Sequence, residues 1–224
     1  MKDNPKSFPI TTNIKLKNMD LKDEINRHRS ECGVIYKVNA QQELVLTDGR
    51  SCTVPDYEVI PETTCIKERA FSTCTKIRAV DMSKSQVGTI GDAAFFACKN
   101  LKAVHFSECL QSIGSFAFES CSLEEMDFPD NLKTIDTGAF SLNKELKEVI
   151  IPHGVTEIHN IAFQSCPKLS QITLLSPTAY IGKHAFRYCD AIEVVYVSWK
   201  DENRIKCILP QDMKEKVEAF PKIG

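Results

Sequence analysis

Apolar residues recur along this chain with a period close to 23, and the residue type at each place is nearly constant. Ala-Phe occurs at Ala70-Phe71, Ala94-Phe95, Ala117-Phe118, Ala139-Phe140, Ala162-Phe163 and Ala185-Phe186, so the phenylalanines lie 24, 23, 22, 23 and 23 residues apart. Five residues before each Phe stands an isoleucine: Ile66, Ile90, Ile113, Ile135, Ile158 and Ile181. Three residues after it stands Cys74, Cys98, Cys121, Asn143, Cys166 or Cys189. Then come Ile77, Leu101, Leu123, Leu146, Leu169 and Ile192, a second apolar column at Val80, Val104, Met126, Val149, Ile172 and Val195, and a third at Met82, Phe106, Phe128, Ile151, Leu174 and Val197. The third repeat is one residue short, between Cys121 and Leu123.

A unit of this size cannot bury its own apolar face, but stacked units align equivalent side chains into continuous columns. The Leu-x-x-Val-x-apolar segment alternates at its end as a strand does. One strand per unit, joined by a return path of about 17 residues, predicts a parallel sheet along one side. Short helical or 3-10 turns are expected on the return path. Burial of the phenylalanines contributes about 1.5–3 kcal/mol each before entropy. The Ala preceding each Phe marks a place where the return turn crowds its neighbour.

The segment Ile90-Gly91-Asp92-Ala93-Ala94-Phe95-Phe96-Ala97-Cys98-Lys99-Asn100-Leu101 resembles the BspA-like class of leucine-rich repeats, with its Ile-Gly-x-x-Ala-Phe-x-x-Cys-x-x-Leu signature. The glycine recurs at Gly114 and Gly182, whereas Lys67, Asp136 and His159 replace it elsewhere; the loop proline of the class stands at Pro129 and Pro152. The resemblance covers residues 60–198. It implies an elongated leucine-rich-repeat solenoid and partner binding or adhesion, with many members on bacterial surfaces.

Four regions are expected. Residues 1–18 are polar and read as a loose tail. Residues 19–60 read as an N-terminal cap: a short helix over 19–31, strands around Val34–Val38 and Glu43–Leu46, and a degenerate repeat tail at Glu58-Val59-Ile60-Pro61. Residues 61–198 hold six repeats of 22–24 residues. Residues 199–224 read as a C-terminal cap, with a short strand at 206–209 and a helix over 212–220. Such caps shield the edges of the stack.

Composition narrows the chemistry. With 28 basic and 30 acidic residues the formal charge is −2, which gives no reason to expect nucleic acid as partner. No apolar run reaches the length of a membrane span, and no apolar segment near Met1 resembles a secretory leader. The cytoplasm is the expected compartment; the cell surface or exterior is the alternative if a leader has been removed.

Of the ten cysteines, five share one register, where a thiol or the Asn143 amide can satisfy backbone carbonyls. A structural ladder is expected, because asparagine cannot form a disulfide. Cys52 and Cys65 flank a loop and could pair in an oxidising setting. No Cys-x-x-Cys spacing suggests zinc. His28, His105, His153, His159 and His184 read as solvated loop residues, and nothing places a nucleophile and an orienting acid around any of them. No phosphate-binding glycine loop occurs. No cofactor, metal or catalytic residue is expected.

The informative surface is the solvent face of the predicted sheet. Residues flanking the central Val should point outward. This selects Asp81, His105, Glu125, Asp127, Glu148, Ile150, Gln171, Thr173, Val194 and Tyr196, with Trp199 just beyond. The first repeats carry an acidic strip suited to a basic protein partner, and the last an apolar, aromatic end. A bland reading is equally available: a solvated sheet face, with Val194 and Tyr196 under the cap. A non-catalytic protein–protein interaction module is the expected function. The alternatives are a surface adhesin, a self-associating structural repeat protein and an enzyme accessory. Oligomeric state is left open.

Overall fold

In the computed structural model residues 19–175, 180–198, 200–209 and 211–220 are described. They form a parallel β-solenoid in which each turn contributes two strands. The long strands are Asp56–Glu58, Ala79–Asp81, Ala103–His105, Glu148–Ile151, Gln171–Leu174, Val194–Val197 and Val217–Ala219. They pair in parallel and in register, except at the third repeat, where Asp127 alone bridges His105 and Ile150. That repeat is the one lacking a residue before Leu123, so its chain cannot follow its neighbours through the strand.

The second ladder runs through the isoleucine column: Thr63–Ile66, Thr89–Ile90, Ser112–Ile113, Thr134–Ile135, Glu157–Ile158 and Tyr180–Ile181. Leu44–Asp48 continues it in parallel, and Ile35–Val38 closes it as an antiparallel hairpin partner. The sequence predicted one sheet; most of these extra strands are two residues long, too short for an alternating pattern.

Between the ladders lies one continuous core. The six phenylalanines form a column of near-parallel rings, with successive centroids 5.0, 4.9, 5.3, 5.4 and 5.3 Å apart and planes within 10°. That spacing follows from strands about 4.8 Å apart, which leaves room for offset rings and nothing larger. The preceding alanines are buried in every repeat, and their carbonyls accept the Phe amide of the turn before, as in Phe71 N–H to Ala94 O at 2.7 Å.

The return path carries consecutive β-turns; no 3-10 helix forms there among the described residues. Residues two before and two after the Phe adopt left-handed backbone: Arg69 and Thr73, Ala93 and Ala97, Phe116 and Ser120, Gly138 and Leu142, Ile161 and Ser165. This conformation is costly for side-chain-bearing residues. It is offset because alternate amides can then reach the next turn, as Arg69 to Asp92 O at 2.9 Å and Thr73 to Phe96 O at 2.7 Å. The intervening amides close turns within the repeat, as Ser72 to Arg69 O and Cys74 to Phe71 O. The backbone polar groups of a buried turn are thereby satisfied.

The cysteine register behaves as a ladder. Cys98 Sγ donates to Phe71 O at 3.0 Å, Cys121 to Phe95 O at 3.2 Å, Cys166 to Phe140 O at 3.4 Å and Cys189 to Phe163 O at 3.0 Å. Asn143 Nδ2 takes the same role toward Phe118 O at 2.8 Å. Burial pushes the Cys98 thiol up to about 12 and also raises Cys121 well above the ordinary thiol range, which keeps them protonated donors. Cys52 and Cys65, the pair proposed from the sequence, are both free.

The N-terminal cap contains a further, shortened turn. Gly49 occupies the Phe place: its amide bonds Ala70 O as Phe71 bonds Ala94 O, and Cys52 follows three residues later. A side chain at Gly49 would enter the Phe71 ring, with its Cβ 2.1 Å from Cε1. Tyr57 covers that ring instead, at 5.7 Å. Over this turn lie the helix Met19–Arg27 and a π-helical turn His28–Cys32. The C-terminal elements are the reverse of those expected. Glu202–Ile208 is helical, Gln211–Lys214 forms one more short helix, and Val217–Ala219 adds the last long strand. Of the apolar residues read as helical, Val217 instead opens a strand that pairs with Val195–Val197, and Phe220 directly follows it.

His28 departs from the expected solvated histidine. It is buried in the cap, with Nδ1 2.8 Å from Tyr57 Oη, which lies 2.7 Å from Tyr36 Oη. The Ile60 amide donates to Tyr36 Oη at 3.3 Å. The Ile60 amide, the two phenols and the imidazole thus form one buried hydrogen-bonded chain. Burial, then Arg27, hold the His28 pKa below its ordinary value against Glu24, Glu31 and Glu58.

A histidine with a depressed folded pKa stabilises fully above its unfolded value of 6.5. That contribution falls as pH drops below this value toward the folded one. Between about pH 7.5 and about pH 5.5, the thermal midpoint of the wild type should fall more than that of His28→Gln, whose amide oxygen can accept the same bond. Equal falls would show that His28 does not govern cap stability.

Candidate functional site

Strand register fixes what the outer face of the long-strand ladder presents. One column runs Glu58, Asp81, His105, Asp127, Ile150, Thr173, Tyr196, Glu218. The adjacent column holds Asp56, Ala79 and Ala103 at one end and Glu148, Gln171 and Val194 at the other, with Glu125 between. The face read from the sequence is therefore one surface. Asp56, Glu58 and Glu218 extend it and were missed. Their signal was available: Val54-x-x-Tyr57-x-Val59 fits the same strand template.

The ten described residues of the predicted site differ in environment. His105, Glu125, Asp127, Glu148 and Ile150 are exposed; Asp81, Gln171, Val194 and Tyr196 are half-buried. Thr173 is only 8% exposed, which corrects its assignment as a contact residue. It sits between the larger Ile150 and Tyr196 in the same column and lies beneath them. Tyr196 stacks on Phe220 at 5.7 Å, so this ring is also part of the C-terminal cap. Trp199 lies outside the described residues.

The charges are distributed unevenly. Asp56 pairs with Arg78 at 3.5 Å and Glu58 with Lys84 at 2.9 Å, both on the surface, where such pairs contribute little. Burial acts to raise the Asp81 carboxyl, but bonds from Ser83 and the nearby His105 and Lys84 outweigh it and hold the pKa low. Among the described residues no salt bridge engages Glu125, Asp127 or Glu148. These three lie where the ladder narrows to Asp127. There a depression of about 410 Å³ is lined by Lys102, Ala103, Val104, His105, Glu124, Glu125, Met126 and Asp127. Lys102 is committed to Glu124 at 2.9 Å on its rim.

Among the described residues no group of three His, Cys, Asp or Glu side chains converges to hold a metal ion. No helix among them is long and apolar enough to cross a membrane. His159 bonds Glu157 at 3.0 Å on the exposed side of the short-strand ladder.

Comparison with known proteins agrees with this architecture. The model of the BspA type leucine rich repeat region matches residues 60–193 in six copies. The chain is similar to a leucine-rich repeat protein from Bacteroides ovatus, with a TM-score of 0.64 and 25% identity over 73% of this chain and 45% of that one. It also resembles the leucine rich repeat protein of T. pallidum, with a TM-score of 0.51 and 20% identity over 73% of this chain and 68% of the other. The chain thus spans less than half the length of the B. ovatus protein. No curated protein matches the sequence. With more than half of the chain, residues 60–193, matched by that repeat in six copies, the chain belongs to the BspA-type leucine-rich-repeat family.

Proposed function

We propose that this chain is a non-catalytic protein-interaction module whose partner docks on the outer face of the long-strand ladder. The carrying observation is the run of three exposed carboxylates, Glu125, Asp127 and Glu148, with no salt bridge to them among the described residues, beside the exposed Ile150. Uncompensated like charges on a rigid face raise the local field and favour a basic partner by steering and by complementarity. Ile150 offers apolar area that an approaching side chain can desolvate. The proposed setting is the cytoplasm, since the buried thiols act as hydrogen-bond donors, which suits a reducing compartment.

The test is a double charge reversal, Glu125→Lys with Asp127→Lys. Partners are captured from a lysate with the wild type, and the affinity of a recovered partner is measured for both proteins. The variant should bind at least about tenfold more weakly at about 0.05 M salt, and the gap should narrow near 0.5 M as the field is screened. Ile150→Glu should weaken binding at both salt concentrations. Unchanged affinity of all variants would place the partner elsewhere.

A further inference from the structure

The chemistry left unused by this face sits at the opposite concern, the N-terminal cap. There Glu31-Cys32-Gly33 and Ser51-Cys52-Thr53 lie against each other. Thr53 N–H donates to Cys32 O at 3.0 Å, and Thr53 Oγ1 donates to Glu31 O at 3.1 Å. Gly33 faces Ser51 so closely that a Cβ would stand 2.4 Å from the Ser51 carbonyl oxygen, and its φ of 72° turns the chain out of the π-helical turn. These contacts seat the end of the π-helical turn on residues 51–53, with the Cys32 carbonyl bonded to the amide that follows Cys52.

A disulfide needs Cα atoms about 4.4–6.8 Å apart, and the 3.0 Å bond from Thr53 N–H to Cys32 O holds the backbone of Cys32 against the residue next to Cys52. Cys52 is 2% exposed in the core, and Cys32 packs against the same core cluster.

We propose that Cys32 and Cys52 form a reversible disulfide that locks the helical cap onto the first turn of the solenoid. Both are thiols here, so the oxidised form requires an acceptor, and a small disulfide such as oxidised glutathione suffices. The Cys32 thiolate attacks one glutathione sulfur, breaking its S–S bond and releasing one glutathione thiolate. The Cys52 thiolate then attacks Cys32 Sγ, releasing the second. Two glutathione thiols carry away the two electrons and the two protons. The order follows from access: Cys32 is half-buried, whereas Cys52 is enclosed. Burial pushes Cys52 up to about 11 and raises Cys32, so the exchange is slow near neutrality and speeds up with alkaline pH.

The bond would close a loop holding the π-helical turn, with His28 at its start, over Tyr57 and Gly49. The other thiols of the ladder donate to a carbonyl of the preceding turn, whereas Cys52 donates within its own turn, to Val54 O at 3.5 Å.

The exposed Cys109 and Cys207 are first replaced by serine, to prevent links between molecules. The full chain is incubated with oxidised glutathione at about pH 8.5, where thiolate forms. It is then blocked with N-ethylmaleimide, digested and mapped by mass spectrometry. The expected product is a Cys32–Cys52 linked peptide lacking two hydrogens. The thermal midpoint should rise by about 5–10 °C and return on reduction. Cys32→Ser in the same background should melt like the reduced parent with or without oxidant, which separates the bond from any effect of the substitution. Recovery of Cys32 as a glutathione adduct or maleimide adduct with Cys52 unlinked, or linkage of Cys52 to Cys65 or Cys74, would overturn the proposal.

Discussion

Replacing Phe118 by alanine is expected to cost about 3–5 kcal/mol, near the upper end for a core truncation. Its ring is fully buried and packed on both faces, by Phe95 at 4.9 Å and Phe140 at 5.3 Å, with Phe106 edge-on at 5.9 Å. The short-strand ladder at Ile113 and the Phe118 N–H to Ala139 O bond hold the spacing, so the turns resist collapse into the void and a cavity term adds to the transfer term. Phe186 provides the comparison. It ends the column, has one ring neighbour among the described residues, at 5.3 Å, and keeps 4% exposure, so Phe186→Ala should cost less. Solenoid stability is a sum of nearest-neighbour interfaces. A weak interface at Phe118 should therefore let the two halves unfold separately, broadening the urea transition or splitting it. Phe186→Ala should leave one transition. Equal costs and a single transition for both variants would show that the column is not the coupling element.

The columns were legible in the sequence because each stacked position tolerates one residue type. Ile, Ala, Phe, Cys and Leu recur where the geometry repeats, and the ladder role of the thiols followed from the exchange with Asn143. The outer face was legible for the same reason, through alternation about the central Val. The return turn was not. Left-handed backbone normally announces itself by Gly or Asn, yet Arg69, Thr73, Ala97, Phe116 and Leu142 adopt it, held by amides that bond the next turn. Only stacking supplies those acceptors, so no single repeat encodes the conformation.

The caps were the least legible, because a cap follows the template only partly. Gly49 in the Phe place hides a turn whose cysteine and strand are otherwise regular. At the other end Val217 and Phe220 suit a helix face as well as a strand, and the free edge of Val194–Val197 decides for the strand. Thr173 was misplaced for a local reason: alternation gives a direction, and the size of its neighbours gives the exposure.

Substitution of Asn143 should have a large effect that depends on a gap 20 residues earlier. After Cys98, Asn143, Cys166 and Cys189 the amide three residues on bonds back to their own carbonyl, as Leu101 does to Cys98 O at 2.9 Å. In the third repeat Leu123 follows Cys121 by two, and this closure is lost. The Leu123 amide, buried, instead donates to Asn143 Oδ1 at 3.2 Å. Meanwhile Nδ2 serves Phe118 O and Phe140 O at 2.8 and 2.9 Å. Asparagine thus replaces cysteine at the one place where the ladder must accept as well as donate. Asn143→Cys keeps a donor toward Phe118 O but orphans the Leu123 amide, for about 1–3 kcal/mol. Asn143→Leu also removes the donor to Phe118 O, while Phe140 O keeps Cys166 Sγ, and should cost more. Inserting one glycine between Ser122 and Leu123 restores the regular closure, so in that background Asn143→Cys should become close to neutral. Denaturant titration of the four combinations gives the coupling directly. If Asn143→Cys costs the same with and without the insertion, the asparagine does not compensate for the missing residue. The same insertion should let residues 124–128 join the long-strand ladder and fill in the depression at Glu125 and Asp127, so it also reports whether that break in the sheet is needed for partner binding.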